Sequence, residues 1–234
     1  MRRRGLPASA LTHEAICLLY SIRARFRRSL LRWWRKSGRD YPWRNDRATP
    51  YQILIAETLL RRTTARAAAK AYETILASYP DIFVLSRARL SELEKCFATV
   101  GLQRQRAAGL REAAKHIVSR FGGDIPAALT LLLKVPNVGA YTARAILSFA
   151  HGKPAAVVDS NVVRVLGRIV FGQRQVGHRL EFQQAADVLL PRGAHREFNW
   201  AMLDLGALVC RYDVPRCGEC PLRRLCSYIP KISL

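Results

Sequence analysis

Val135-Pro136-Asn137-Val138-Gly139-Ala140-Tyr141-Thr142-Ala143-Arg144-Ala145 opens a stretch that continues through a helix-length segment. It ends in His151-Gly152-Lys153-Pro154-Ala155-Ala156-Val157-Val158-Asp159-Ser160-Asn161-Val162-Val163-Arg164. Pro136 to Gly139 read as a tight turn that opens onto a helix. Such a turn points backbone N–H groups and the positive end of the helix outward, which suits a phosphate. A carboxylate, Asp159, follows eighteen positions after Tyr141. The turn can hold a nucleic-acid backbone while the carboxylate does chemistry beside it.

The bulk properties agree with a polyanionic partner. The chain has 234 residues, half of them apolar, and a formal net charge of +22. That is enough chain for a good core in one domain or two small ones. The charge favours nucleic acid or an anionic membrane surface. No apolar run approaches the roughly 20 residues needed to span a bilayer, so nucleic acid is the better match and no membrane partner is expected. Residues 1–47 carry thirteen Arg or Lys against three acids, a net +10. Two readings of that bias stand: an Arg-rich, acid-poor transit peptide, or a basic arm and first helix lying on DNA.

The periodicity is helical throughout and no strand alternation stands out. Thr49-Pro50-Tyr51-Gln52 is a capping box with proline at the first helical position. It opens a helix carrying Ile53, Leu54, Glu57 and Leu60. Thr63 to Ser78 is Ala-rich and stops before Pro80. Ser91 to Glu94 reads as a second capping box, before a short helix ended by Gly101. Gln103 to Phe121 is a long basic helix closed by Gly122 and Gly123. Pro126 to Lys134 and Ala140 to Ala150 form the two arms around the turn. Helices over Asn161 to Phe171, Arg179 to Leu190 and His195 to Val209 complete an all-α chain with short linkers and no internal repeat.

Cys210, Cys217, Cys220 and Cys226 are spaced C-x6-C-x2-C-x5-C. Four thiolates over seventeen residues can hold a metal centre without β-structure. Zinc is the generic reading for close-set cysteines, and an iron–sulfur centre takes the same ligand set. Cys17 and Cys96 stand alone on apolar helices and read as buried small residues. A reducing intracellular setting follows, cytoplasmic or nuclear, with an organelle-targeted N-terminus as the variant. The five histidines lack metal-ligand spacing.

Pro136, Gly139, Thr142 and Ala143, then Gly152, Pro154 and Asp159, resemble the helix-hairpin-helix DNA glycosylases of the endonuclease III and adenine glycosylase group. The match departs at Asn137, where the family has glycine. Asn is the next best residue for a positive-φ turn, so the hairpin is expected intact. The resemblance implies two helical domains with the active cleft between them. Residues 43–155 would form a six-helix barrel with the hairpin. Residues 22–42 and 156–234 would form a helical iron–sulfur domain, and 1–21 a basic extension. It also implies a [4Fe–4S] cluster on Cys210, Cys217, Cys220 and Cys226. Arg211, Arg216, Arg223 and Arg224 lie among those ligands, where they can meet phosphates or offset the cluster's charge.

Cleaving a base from deoxyribose builds positive charge on the sugar and negative charge on the base. A nearby carboxylate helps the first and a hydrogen-bond donor the second. Asp159 fits the carboxylate role, and it also fits an N-cap for the helix that follows. Glu57 sits in an otherwise apolar run, either at an exposed helix edge pairing with Arg61 or in a cleft. The resemblance favours the catalytic reading of both. Endonuclease III enzymes carry a lysine where this chain has Tyr141, and a phenol cannot form a Schiff base with the sugar. Tyrosine there, Leu59-Leu60-Arg61-Arg62-Thr63-Thr64-Ala65 and Arg39-Asp40-Tyr41-Pro42-Trp43-Arg44 resemble the thymine mismatch branch.

The expected function is therefore a monofunctional DNA glycosylase removing T or U opposite G, acting as a monomer on double-stranded DNA with a mismatched or damaged base. Asp159, Tyr141 and Glu57 are the expected catalytic residues. Arg61, Arg62, Pro136, Asn137, Val138, Gly139, Ala140, Thr142 and Asn161 are the expected DNA contacts, with Arg61 and Arg62 where relatives insert a wedge. Two rivals remain: an adenine glycosylase acting opposite oxidised guanine, and a non-catalytic helix-hairpin-helix DNA-binding protein. Eight residues follow Cys226, so the extra C-terminal domain of the adenine branch is not expected. The paired acids argue against the non-catalytic rival.

Overall fold

The structure is a computed structural model and describes residues 11–172 and 179–228. The start of the basic extension, with Arg2, Arg3 and Arg4, lies outside the described residues. In chain order the helices are α1 (His13–Ser37), α2 (Pro50–Leu60), α3 (Ala65–Ser78), α4 (Ile82–Ser86), α5 (Leu90–Cys96), α6 (Gln103–Phe121), α7 (Leu129–Leu132), α8 (Ala140–Phe149), α9 (Ser160–Phe171), α10 (Arg179–Leu189) and α11 (His195–Leu208). All regular structure among the described residues is helical, and no described helix is long and apolar enough to cross a membrane. The described residues fall into two compact units, one drawn from residues 1–39 and 154–234 and the other from residues 40–153.

In the second of these, α2 is the central helix. The Gln52 N–H donates to Thr49 Oγ1 at 3.2 Å and the Thr49 N–H to the Gln52 side chain at 2.9 Å, so the capping box is formed. Ile53 to Leu59 are all buried. A helix covered on every side must be wrapped by neighbours, and α3, α6 and α8 pack on α2. The second capping box does not form. α5 starts at Leu90, two residues before the start that a Ser91 cap implies, and its N-cap Arg89 makes no side-chain cap bond. Burial of Leu93 sets that helix, since burying a leucine (about 1.5–3 kcal/mol) outweighs a cap (about 1 kcal/mol). The first hairpin arm is shorter than expected, with only Leu129–Leu132 helical.

The other unit is built on α1, whose buried Ala15, Leu19, Phe26 and Leu30 recur at helical spacing. Arg25, Arg28, Arg32 and Arg35 are exposed. Phe26 packs on Phe198, with ring centres 6.1 Å apart, and joins a core with Leu166, Phe182, Leu189 and Leu205. Cys17 is exposed and Cys96 half-buried, which corrects the expectation that both are core residues. Cys17 lies outside the buried α1 stripe, and Cys96 ends α5, where the helix stops covering it. Buried Asp204 on α11 accepts from Trp34 Nε1 at 3.1 Å and from the Arg39 backbone N–H and Nε at 2.9 and 2.7 Å. It thereby fastens the end of α1.

α9 and α11 approach closely at Gly206. A Cβ there would stand 2.5 Å from Asn161 Cβ and 3.2 Å from its Cα. Gly206→Ala should therefore force these helices apart and destabilise the protein by about 1–3 kcal/mol, read as a lower midpoint in urea unfolding. An unchanged midpoint would show that the crossing yields without cost.

Candidate functional site

The hairpin turn forms as the sequence spacing requires. The Val138 N–H donates to Val135 O at 3.1 Å, and Asn137 takes φ 62°, the conformation for which it replaces glycine. Its side-chain amide donates to Glu112 Oε2 at 2.9 Å and Gly109 O at 3.3 Å, tying the turn to α6. Gly139 caps α8 at φ −86° without a side-chain cap bond, and a Cβ there would meet nothing within 4 Å. Neither backbone strain nor internal packing calls for glycine at this position. Half-buried Tyr141 lines an open groove with Lys134, Pro136, Gly139, Thr142 and Arg61.

Asp159 is the N-cap of α9, accepting the Val162 N–H at 2.8 Å on Oδ1. Its Oδ2 accepts from Asn161 Nδ2 at 2.7 Å. The N-cap expected of Asp159 is thus formed, and it fixes the carboxylate in place. The extended segment leading to it is held by residues that pattern reading passed over. Buried Asn199 accepts from the Val157 N–H at 3.0 Å and donates to Ala155 O at 2.9 Å, and Gln183 Nε2 donates to Ala156 O at 3.1 Å. Arg164 Nη2 donates to Asn161 Oδ1 at 2.7 Å and Gly206 O at 2.8 Å, while its Nε reaches Cys210 O at 2.8 Å. One side chain therefore links the surroundings of Asp159 to the cysteine loop.

Glu57 is 5% exposed on α2, which removes the surface reading. At the end of α2, Arg61 turns onto the hairpin and donates through Nη2 to Asn137 O and, at 3.5 Å, to Thr142 Oγ1. Arg62 is exposed with φ 54°. A second protrusion was not signalled by the sequence: Leu102, 49% exposed with φ 55°. A left-handed non-glycine residue costs on the order of 1–3 kcal/mol and clusters at functional sites. Arg62 and Leu102 share the lining of a cavity of about 200 Å³ with Thr58, Gln105, Arg106 and Asn137.

The four cysteines of the C-terminal motif line a single cavity of about 560 Å³, together with Val165, Ile169 and Leu205. Burial, then the neighbouring thiols Cys210, Cys226 and Cys217, push the Cys220 thiol up to about 11. A bound cation reverses that balance by favouring thiolates. Among the described residues no three His, Cys, Asp or Glu side chains are grouped to hold a single metal ion. One zinc would need its four sulfurs about 3.8 Å apart, given Zn–S bonds of ~2.3 Å. Arg168, 1% exposed, donates to Cys210 Sγ at 3.3 Å, Arg211 O at 2.7 Å and Tyr212 O at 3.0 Å. Arginine within the apolar run Val165-Leu166-Gly167-Arg168-Ile169-Val170 was the available signal. Arg211, Arg216, Arg223 and Arg224 are exposed.

Residues 55–191 match the model of the HhH-GPD superfamily base excision DNA repair protein. The chain is 38% identical over 208 residues to a thymine/uracil-DNA glycosylase of Methanothermobacter thermautotrophicus, spanning 88% of this chain and 93% of that protein. It is 39% identical over 209 residues to a thymine-DNA glycosylase of Aeropyrum pernix, spanning 86% and 93%. The solved structure of a thermostable thymine-DNA glycosylase superposes with a TM-score of 0.83 at 37% identity, over 89% of this chain and 97% of that one. A non-covalent endonuclease III–DNA complex superposes with a TM-score of 0.74 at 25% identity, over 87% and 94%. The hairpin, the capped carboxylate and these likenesses agree, and the chain belongs to the HhH-GPD superfamily of base excision DNA repair proteins.

Proposed function

We propose that this chain is a monofunctional DNA glycosylase that hydrolyses the N-glycosidic bond of thymine or uracil opposite guanine in base excision repair. The observation that carries the reading is the fixed carboxylate of Asp159, in a chain similar along most of its length to thymine/uracil glycosylases. DNA binds at the hairpin. The glycine at position 139 has no internal reason, which supports close approach of a DNA phosphate to the uncapped start of α8. Arg62 meets the duplex, and the target base leaves the stack before reaction.

As the C1′–N bond stretches, Asp159 stabilises positive charge on the sugar and orients a water. The water oxygen bonds to C1′ while the bond to the base breaks. The water gives up one proton and the departing pyrimidine takes one, leaving free base and an abasic site. Glu57 and Tyr141 serve the base, as hydrogen-bonding and stacking groups. Asn161 holds Asp159 in orientation. Tyr141 offers no amine for a Schiff base, so strand cleavage by that route does not accompany excision.

Cys210, Cys217, Cys220 and Cys226 hold a [4Fe–4S] cluster in this reading. The support is the all-thiolate donor set that lines one cavity. Bound there, the cluster supplies iron–thiolate bonds that fasten the loop. Arg168 contributes a charge-assisted hydrogen bond to Cys210.

Asp159→Asn should bind a G:U duplex like the wild type but release base on the order of a thousandfold more slowly. In the same gel assay the wild type should leave an alkali-labile abasic site and no borohydride-trapped adduct. Full excision by the variant would sink the mechanism, and a robust adduct the monofunctional reading. The purified protein should be brown, with about four irons per chain, and should melt at lower temperature after iron is stripped. Colourless, zinc-loaded protein would overturn the cofactor assignment.

A further inference from the structure

Arg106 lies in the early turns of α6 and is 6% exposed. Its guanidinium donates in two directions. Toward the end of α2, Nη1 reaches Thr58 O and, at 3.0 Å, Leu59 O, while Nη2 reaches Arg61 O and, at 2.7 Å, Thr63 Oγ1. Toward the turn before α6, Nε reaches Gly101 O at 2.9 Å and Nη2 reaches Val100 O at 3.5 Å. The Thr63 hydroxyl adds a bridge to Val100 O at 3.2 Å. The acceptors belong to two loops far apart in sequence, and each loop carries a left-handed protruding residue, Arg62 in one and Leu102 in the other.

We propose that Arg106 is a positioning residue that clamps these two loops into one rigid, DNA-facing edge, presenting Arg62 and Leu102 together to the duplex while the target base is extruded. An arginine is needed because its planar fork supplies five N–H donors in fixed directions. A lysine has three on a flexible stem. The acceptors at the α2 end include carbonyls left without partners inside that helix, so the clamp also decides where α2 ends and where Arg62 leaves it. The strained conformations of Arg62 and Leu102 persist because this bonding over-determines them. The role rests on the glycosylase reading, since it is exercised only when a paired base must be pulled from the stack.

The test compares single-turnover excision of uracil opposite guanine in paired DNA with excision of uracil in an unpaired bubble, for wild type and Arg106→Lys. Unpaired bases need little extrusion. Loss of the clamp should lower the paired-to-bubble rate ratio roughly 10–100-fold, through the paired rate. An unchanged ratio, whether both rates hold or both fall together, would overturn the proposal and leave Arg106 a fold residue only. Wild type that excises from neither substrate would overturn the glycosylase reading itself, and the clamp's role with it. Thr63→Val removes one acceptor and the hydroxyl bridge while keeping the guanidinium. It should shift the ratio in the same direction by a smaller factor, and it serves if Arg106→Lys does not fold.

Discussion

Arginine side chains turned inward onto main-chain carbonyls hold the irregular parts of this protein. The last four carbonyls of an α-helix have no partner within it and carry the negative end of its dipole. Here guanidinium groups take that place repeatedly. Arg27 donates to Val188, Leu189 and Leu190 at the end of α10. Arg106 does the same at the end of α2. Arg164 and Arg168 bind carbonyls at and beyond the end of α11, from Gly206 to Tyr212. A planar fork with five donors satisfies several carbonyls at once, so a chain rich in short helices ends them without a glycine each time.

This use of arginine alters the meaning of the +22 charge. Exposed Arg25, Arg28, Arg32 and Arg35 on α1, and Arg211, Arg216, Arg223 and Arg224 around the cysteine loop, are available to a polyanion. Arg106 and Arg168 are buried and serve the fold. Arg61 lies between these groups, exposed yet donating to the hairpin turn. Counting basic residues therefore points to the right class of partner but overstates the surface that can meet it.

The same bonding connects parts that do different work. Asp159 is fixed by the start of its own helix and by Asn161, Asn161 by Arg164, and Arg164 by the backbone of Cys210. The close crossing at Gly206 holds Asn161 from the other side. The mechanism we propose needs this carboxylate held before charge appears on the sugar, and this relay, with Asn199 on the preceding segment, holds it.

Much of this was legible in the chain alone, where the signal is local. Helical periodicity marked the all-α class. Thr49 and Gln52 marked the start of α2, and Asn137 stood where a positive φ was required, since caps and turns depend on residues a few positions apart. The spacing of the four cysteines read as one metal centre, and the structure brings all four to the lining of one cavity. Other features depended on partners far away in sequence. Ser91 looked like a cap, but burial of Leu93 set α5. Cys17 looked like core, but α1 turns it outward. Glu57 could have been exposed or enclosed until α3, α6 and α8 covered α2. Leu102 carries no mark of its left-handed conformation, and Arg106 reads as one more basic residue. Only the tertiary structure decides such cases, because burial and the geometry of a multi-donor side chain are set by acceptors that folding brings from elsewhere in the chain.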